Sequence, residues 1–127
     1  MQNRILAGLP SEEYERIRPS LQLEQLPSGK PLYDSGQTIS DVYFFNTGMA
    51  SLVSLTDEGA SIEVGVIGNE GMLGVSAILG MNRMPHDAMV QLPGNAFKMK
   101  LTTLTAELDR MRKLHRLLMR HMYLLHV

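Results

Sequence analysis

The four histidines are the side chains of this 127-residue chain best suited to metal binding or proton transfer, because imidazole is a common metal ligand and titrates near neutral pH. His115, His121 and His126 follow one another at separations of six and five residues. None of them are three or four residues apart, so no two lie on adjacent turns of one helical face, as a His-x-x-x-His metal pair does. His86 stands alone in the glycine-rich part of the chain, where a metal-dependent barrel enzyme would need several histidines. The sequence predicts no metal site.

Nucleophilic catalysis is not indicated either. Cysteine is absent from the sequence, which excludes disulfides, thiolate metal sites, iron–sulfur clusters and cysteine nucleophiles. The sequence also contains no Gly-x-Ser-x-Gly segment of the kind that marks a serine nucleophile. We therefore predict a protein that is not an enzyme, with no catalytic residue and no bound cofactor.

A glycine-rich segment, Glu63–Val75, is the strongest remaining signal. Glycines at every third position let a backbone pass close to another backbone or to a ligand. A helix over Val75–Leu79 would direct free amides toward an anion such as phosphate, whereas the corners of a tight barrel would explain the same glycines. Both interpretations stay open at this point. The glycines are Gly65, Gly68, Gly71 and Gly74.

Helical patterns flank this region and must help to position it. Residues 1–20 form the first, with helical spacing of apolar residues from Ile5 to Ile17. We expect Ser11 to be an N-cap and Pro19 to end the helix. Residues 101–127 form the second, with apolar residues every three or four positions. Four of these also lie seven residues apart, the spacing of a coiled-coil seam: Leu104, Met111, Leu118 and Leu125.

Residues 21–100 are predicted to form short strands, because glycine or proline interrupts each apolar run. Leu21, Leu23 and Leu26 alternate with polar residues, as on a half-buried strand. Thr56–Gly59 joins two runs as a hairpin turn in which glycine supplies a positive φ. Evenly spaced strands with glycine corners predict a small barrel or jelly roll. The predicted strands are Asp41–Phe45, Ala50–Leu55, Ser61–Ile67 and Ala88–Leu92.

Two interpretations of the last helix stay open. It packs on its own barrel, or it also pairs with a second subunit through a dimer helix that begins near Leu108. The apolar pattern is still running at Val127, so we expect the helix to continue beyond that residue. If the helix is cut there, Leu118 and Leu125 are expected to be exposed. The predicted dimer contacts are Met111, Leu114, Leu118, Met122 and Leu125.

Composition narrows the function. Twelve Lys and Arg against thirteen Asp and Glu give a net charge of -1, so the chain is not expected to bind DNA through its own surface. No apolar run approaches the ~20 residues of a membrane-spanning helix, and the first ten residues are too polar for a signal peptide. We expect a single cytoplasmic domain that does not enter a membrane.

Four stretches together resemble the N-terminal sensor domain of Crp/Fnr-type bacterial transcription regulators, which has the cyclic nucleotide-binding domain fold. They are ILAGLPSEEYERI, LPSGKPLYDSGQTISDVYFFNTGMASLV, EVGVIGNEGMLGVSAILG and VQLPGNAFKM. The resemblance covers essentially all 127 residues, and the order of the glycine corners is its specific part. It implies a mainly β fold with flanking helices: an antiparallel jelly roll, or β-roll, followed by a long C-terminal dimerisation helix. It also implies a homodimer and a DNA-binding helix-turn-helix domain that is not in this chain.

The resemblance also locates a ligand pocket. Cyclic-nucleotide binders of this family carry a Gly-Glu pair whose carboxylate holds the ribose, and the matching pair here is Gly74-Val75, followed by Ser76. The family's phosphate-binding arginine has no counterpart in the matching stretch, which contains His86, Asp87 and Ala88. We expect the loss of both charged groups to weaken binding by two or more decades, and Asp87 to repel a phosphate.

The effector is therefore expected to be an unidentified small molecule rather than cAMP or cGMP. A haem iron could take His86 or a helix histidine as a ligand, and spacing does not decide this. Alternatively, apolar side chains have filled the pocket: Met72, Leu73, Met84 and Met89. The sequence predicts the sensing and dimerisation domain of a transcription regulator, and the alternative is a stand-alone ligand-binding or interaction module without DNA binding.

Overall fold

The computed structural model describes residues 3–125, and their side chains as far as Met122. Within these residues, eight strands lie between two short helices and two longer ones. The helices are α1 (Arg4–Ala7), α2 (Ser11–Ile17), α3 (Leu101–Leu108) and α4 (Arg112–Leu125), with 3₁₀ helices at Arg18–Ser20 and Val75–Leu79; the strands are β1 (Gln22–Leu26), β2 (Pro31–Tyr33), β3 (Asp41–Phe45), β4 (Met49–Leu55), β5 (Ser61–Ile67), β6 (Met72–Leu73), β7 (Asp87–Leu92) and β8 (Gly94–Lys100).

The strands form two four-stranded antiparallel sheets, in the orders β1-β8-β3-β6 and β2-β7-β4-β5. This confirms the predicted mainly β, antiparallel fold with flanking helices. The strands β3 and β5 have the predicted bounds, and β4 and β7 each begin one residue earlier than predicted. The predicted hairpin turn is also present: Gly59 has a φ of +83°, and its amide donates to the carbonyl of Thr56 (2.9 Å).

An irregularity interrupts the β4–β5 pairing. Leu52 pairs with Gly65, whereas Val53 pairs with Glu63, so Val64 is an extra residue in β5. Such a β-bulge bends its strand and reorients the side chains around it. The strand that carries it, β5, lies at the edge of its sheet.

Two apolar cores follow from the alternation of side chains along each strand. On β3, Phe45 packs between the two sheets, whereas Phe44 packs against the helices. Both phenylalanines are fully buried. The half-buried strand predicted around Leu21–Leu26 is confirmed for Leu26, which is buried, but is wrong for Leu23, which is 55% exposed. Leu23 lies on an edge strand, β1, where no neighbouring strand or helix covers it.

The N-terminal helical pattern forms two helices rather than one. Pro10 occupies the N-cap position of α2 without a side-chain hydrogen bond, and Ser11 is the first helical residue. The predicted Ser11 cap is therefore wrong. The capped helix is α1, where the Asn3 side-chain oxygen accepts hydrogen bonds from the amides of Ile5 (3.1 Å) and Leu6 (3.2 Å).

The C-terminal pattern is also divided, because the chain leaves the helix between α3 and α4. The cause lies on α2, where the Glu13 carboxylate accepts hydrogen bonds from the amides of Lys113 (3.3 Å) and Leu114 (3.0 Å). A carboxylate at this position stabilises the start of a helix because it satisfies free amides and faces the positive end of the dipole. The last helix therefore begins at Arg112 and not near Leu108.

Candidate functional site

A cavity of about 160 Å³ lies between the β4–β5 pair and the turn that follows β6. Ligand pockets usually measure about 300–1,000 Å³, so this one is small. Its walls are mostly apolar side chains, supplemented by backbone at two glycines. The lining residues are Leu52, Val64, Gly65, Ile67, Met72, Leu73, Gly74, Val75, Ser76, Met84, Pro85 and His86.

Gly74 forms the turn between β6 and the following 3₁₀ helix. It has a φ of +98°, and a Cβ there would lie 3.1 Å from Cγ1 of Val42 and 3.4 Å from the carbonyl oxygen of Asp41. Only glycine combines that left-handed conformation with that little space. The next residue, Val75, lines the cavity but is itself buried in the core on the helix side. The position that resembles a ribose-binding carboxylate is therefore part of an apolar wall.

The three residues that the resemblance assigned to the phosphate site do not all line the cavity. His86, just before β7, lines the cavity. Asp87 lies on the other face, where its carboxylate accepts a hydrogen bond from the amide of Ser35 (2.6 Å). Ala88 is buried in the core between the sheets. The structure thus brings His86 together with Gly74–Ser76 along the cavity, whereas Asp87 and Ala88 do not line it.

The nearest arginine in the sequence does not replace the missing phosphate ligand. Arg83 forms an isolated bridge with Thr38, and its guanidinium donates a hydrogen bond to the carbonyl oxygen of Gly36 (3.0 Å). It is exposed and is not among the residues that line the cavity. The cavity lining described by the structure contains no lysine, arginine, aspartate or glutamate.

Apolar residues replace the charged ones. Met72, Leu73 and Met84 line the cavity, as the filled-pocket interpretation predicts, but Met89 is 41% exposed and lies outside it. Leu52 and Val64 also line the cavity, and nothing in the sequence marks them as site residues. Val64 is the extra residue of the β5 bulge and Leu52 lies beside the bulge on β4.

The one titratable side chain of the lining is His86. Its Nδ1 is buried and makes no hydrogen bond with the described part of the chain. Among residues 3–125, the structure contains no cluster of three His, Asp or Glu side chains that could hold a metal ion. No helix in that range is long and apolar enough to cross a membrane.

A second polar cluster lies on β1, β3 and β8. Lys98 lies 3.9 Å from a carboxylate oxygen of both Glu24 and Asp41, and its ammonium is 5.8 Å from the ring centroid of Tyr43. Burial raises the pKa of Tyr43 above its usual range, and the charges of Glu24 and Asp41 raise it further. Lys30 lies 3.9 Å from the other carboxylate oxygen of Glu24, so two cations face two carboxylates. Lys98, Glu24, Asp41 and Tyr43 do not line the cavity.

The predicted dimer contacts whose side chains are described lie in the core of their own chain, Met111 just before α4 and the others on it. Met111, Leu114 and Leu118 are fully buried and Met122 is 4% exposed, all within the helix-side core. The expectation that Leu118 is exposed in this chain is therefore wrong, because the start of α4 packs back onto the β-roll. The side chain of Leu125 lies outside the described residues.

The solvent-facing side of α4 has a different character. Its exposed residues, up to the last described side chain, are basic rather than apolar: Arg112, His115, Arg116 and Arg120. Among the described side chains of α4, the apolar ones that are not fully covered are Leu117 and Met119, which are half-buried.

The family model described as cyclic nucleotide-binding domain matches residues 23–111 of the chain. No curated protein sequence matches the chain.

The fold is similar to that of three solved structures. The catabolite activator protein of Thermus thermophilus is 18% identical with a TM-score of 0.78, and the alignment covers 94% of this chain and 56% of that protein. The sensor domain of the transcriptional regulator DNR from Pseudomonas aeruginosa is 16% identical with a TM-score of 0.76, covering 94% and 80%. The regulatory domain of Toxoplasma gondii PKA, co-crystallised with cAMP, is 18% identical with a TM-score of 0.72, covering 83% and 42%. The chain thus spans about half of the Thermus protein's length.

Proposed function

Because the chain belongs to the cyclic nucleotide-binding domain family, we propose that it is the effector-sensing domain of a Crp/Fnr-like transcription regulator whose effector is not a cyclic nucleotide. The β-roll fold supports a regulatory role, and so does its similarity to the Thermus catabolite activator protein and to the sensor domain of DNR. The observation that carries the proposal is the cavity lining, which includes residues that the resemblance assigns to the ligand pocket but none of the charged groups that a nucleotide phosphate and ribose require.

Electrostatics argues against a cyclic nucleotide. The side chain of Val75 offers no acceptor to a ribose hydroxyl. Arg83 lies outside the cavity, where its guanidinium donates a hydrogen bond to the carbonyl oxygen of Gly36. Each missing charge-assisted hydrogen bond is worth about 1.5–3 kcal/mol, and every 1.4 kcal/mol corresponds to about tenfold in affinity. Two missing bonds therefore lower the affinity at least about a hundredfold.

The size and polarity of the cavity favour a different ligand class. An apolar cavity of about 150 Å³ accommodates a molecule the size of benzene, and the cavity here measures about 160 Å³. Its apolar lining favours a neutral ligand, and His86 and Ser76 are the lining side chains that can offer it a hydrogen bond. We therefore assign to the site a neutral effector about the size of a single aromatic ring with one polar group.

Titration calorimetry with cAMP and cGMP tests the first part of this proposal. We expect no binding with a dissociation constant below about 1 mM, because the charged contacts are missing. The Toxoplasma gondii PKA domain, which holds cAMP in its co-crystal, is the positive control under the same conditions. A micromolar dissociation constant for either nucleotide would overturn the proposal.

Homodimerisation and DNA binding belong to the proposal as well. The DNA-binding surface would be in a part of the regulator outside this chain, consistent with the net charge of -1. A dimer contact would have to use α4 beyond the described side chains, or another surface, because the roll-facing residues are already buried.

The alternative is a stand-alone module of the same fold. The mass of the protein in its native cells separates the two. A mass well above 14.2 kDa, with DNA binding by the longer protein, supports the regulator. A mass equal to that of this chain supports the module.

A further inference from the structure

His121 joins α4 to the strand that forms one wall of the cavity. Its side chain is buried, and its Nε2 accepts a long hydrogen bond from the amide of Met72 (3.4 Å). Met72 and Leu73 make up β6, and both line the cavity. The same two-residue strand therefore contacts the cavity and the last helix.

The histidine ring also explains a glycine of the glycine-rich segment. A Cβ on Gly71 would overlap the imidazole of His121, lying 2.6 Å from Nε2 and 2.9 Å from Nδ1. Such distances are too short for any real contact, so the helix can approach only because position 71 has no side chain. The close approach that the sequence indicated at Gly71 is to a helix, not to a ligand.

The peptide group between Gly71 and Met72 is hydrogen-bonded on both sides. The carbonyl oxygen of Gly71 accepts a hydrogen bond from the side-chain amide of Asn3 (2.8 Å), and the amide of the same peptide group, on Met72, donates to His121. Asn3 is fully buried and also caps α1. The entrance to β6 is thus held from one side by α1 and from the other by α4.

Protonation of His121 would break this link. An amide N–H donates to Nε2 only when that nitrogen carries no proton, and a protonated imidazole would direct a second N–H at it. Burial holds the pKa of His121 below its usual value of 6.5, and the charge of Glu70 opposes that effect.

Other ionisable groups on the elements around His121 are engaged or distant. On α1 the charged side chain is Arg4, which is exposed. On α3 it is Glu107, which pairs with Arg16. The 3₁₀ helix Val75–Leu79 contains none.

We propose that His121 is a positioning residue that couples the cavity wall to α4, with neutral imidazole holding β6 in place and protonation releasing it. This inference rests on the function proposed above, because coupling matters only if the cavity holds an effector. The physical link can nevertheless be measured without any effector, so failure of the link and failure of the proposed function are distinguishable.

Nuclear magnetic resonance of the 127-residue chain tests the link. The amide and methyl signals of Met72 are followed from pH 8 to pH 4.5, together with the ring signals of each histidine. We expect the Met72 signals to titrate together with the His121 ring, at a midpoint below pH 6.5. In His121→Gln, whose side-chain oxygen remains a neutral acceptor, they should stay at their high-pH positions. His115→Gln, an exposed position on the same helix, should leave the wild-type titration unchanged.

Stability supplies a second readout with a defined sign. The unfolded chain binds a proton at His121 more readily than the folded chain, so the stabilisation is complete above pH 6.5 and declines as the pH falls below it. As the pH falls below 6.5, the unfolding equilibrium constant of the wild type should rise by up to tenfold per pH unit relative to that of His121→Gln. Identical Met72 titrations in the wild type and His121→Gln, or a His121 ring that titrates while Met72 does not respond, would overturn the proposal.

Discussion

The Gly94→Ala variant is expected to lose about 3 kcal/mol or more of its unfolding free energy, because two backbones cross at Gly94. An alanine Cβ there would overlap the carbonyl of Thr47 and lie 2.6 Å from the amide nitrogen of Gly48. Overpacking usually costs about 1–3 kcal/mol, and backbone, unlike a flexible side chain, cannot move aside. Hydrogen bonds from the amides of Asn46 and Thr47 to the carbonyl of Asn95 hold the two segments together.

Urea denaturation followed by far-ultraviolet circular dichroism measures this loss. Gly65→Ala is the matched control, because a Cβ at Gly65 would lie at an ordinary 3.5 Å from Cδ1 of Leu52. The control should stay within about 1 kcal/mol of the wild type. If Gly94→Ala unfolds at the wild-type urea concentration, the close crossing of the two backbones is not present in solution.

The Leu118→Ala variant is expected to lose about 2–5 kcal/mol of its unfolding free energy, the usual cost of a cavity in a packed core. Leu118 is fully buried in the helix-side core of its own chain. The loss should therefore not depend on protein concentration. A contact across a dimer interface would behave differently, because the stability of a dimer rises with protein concentration.

Unfolding curves at protein concentrations from 2 to about 200 µM, on the order of a hundredfold range, separate the two cases. Leu55→Ala serves as the control, because Leu55 is 65% exposed and its truncation should cost little. If the unfolding free energy lost in Leu118→Ala instead changes with protein concentration, Leu118 packs against a second subunit and not in the core of its own chain.

Local patterns were sufficient to predict β3, β4, β5, β7 and the hairpin, but they did not mark β2, β6 or β8. The β3 and β5 strands have their predicted bounds because alternation, β-branched residues and flanking turns all agree there. The break before α4 was not predictable from the helical pattern, because its cause is the Glu13 carboxylate, one hundred positions earlier in the sequence. The seven-residue spacing of Leu104, Met111 and Leu118 reflects packing on the β-roll and not on a second helix.

The candidate site was predicted only in part for a similar reason. Gly74–Ser76 and His86, which the resemblance assigned to one pocket, line the same cavity. The resemblance did not reveal that Asp87 faces Ser35, since the face on which a strand residue lies depends on the register with its neighbour. The contribution of Leu52 and Val64 depends on a bulge that a single sequence does not mark.

The bulge at Val64 has a consequence for self-association. The edge strand β5 exposes Ile62, Val64 and Val66, and an apolar edge of this kind is a template on which another chain can add a strand and start an aggregate. The extra residue interrupts the regular ladder, and the neighbouring Glu63 is exposed and carries a charge. The irregularity that lies beside the cavity therefore also makes this edge strand a poorer template for another chain.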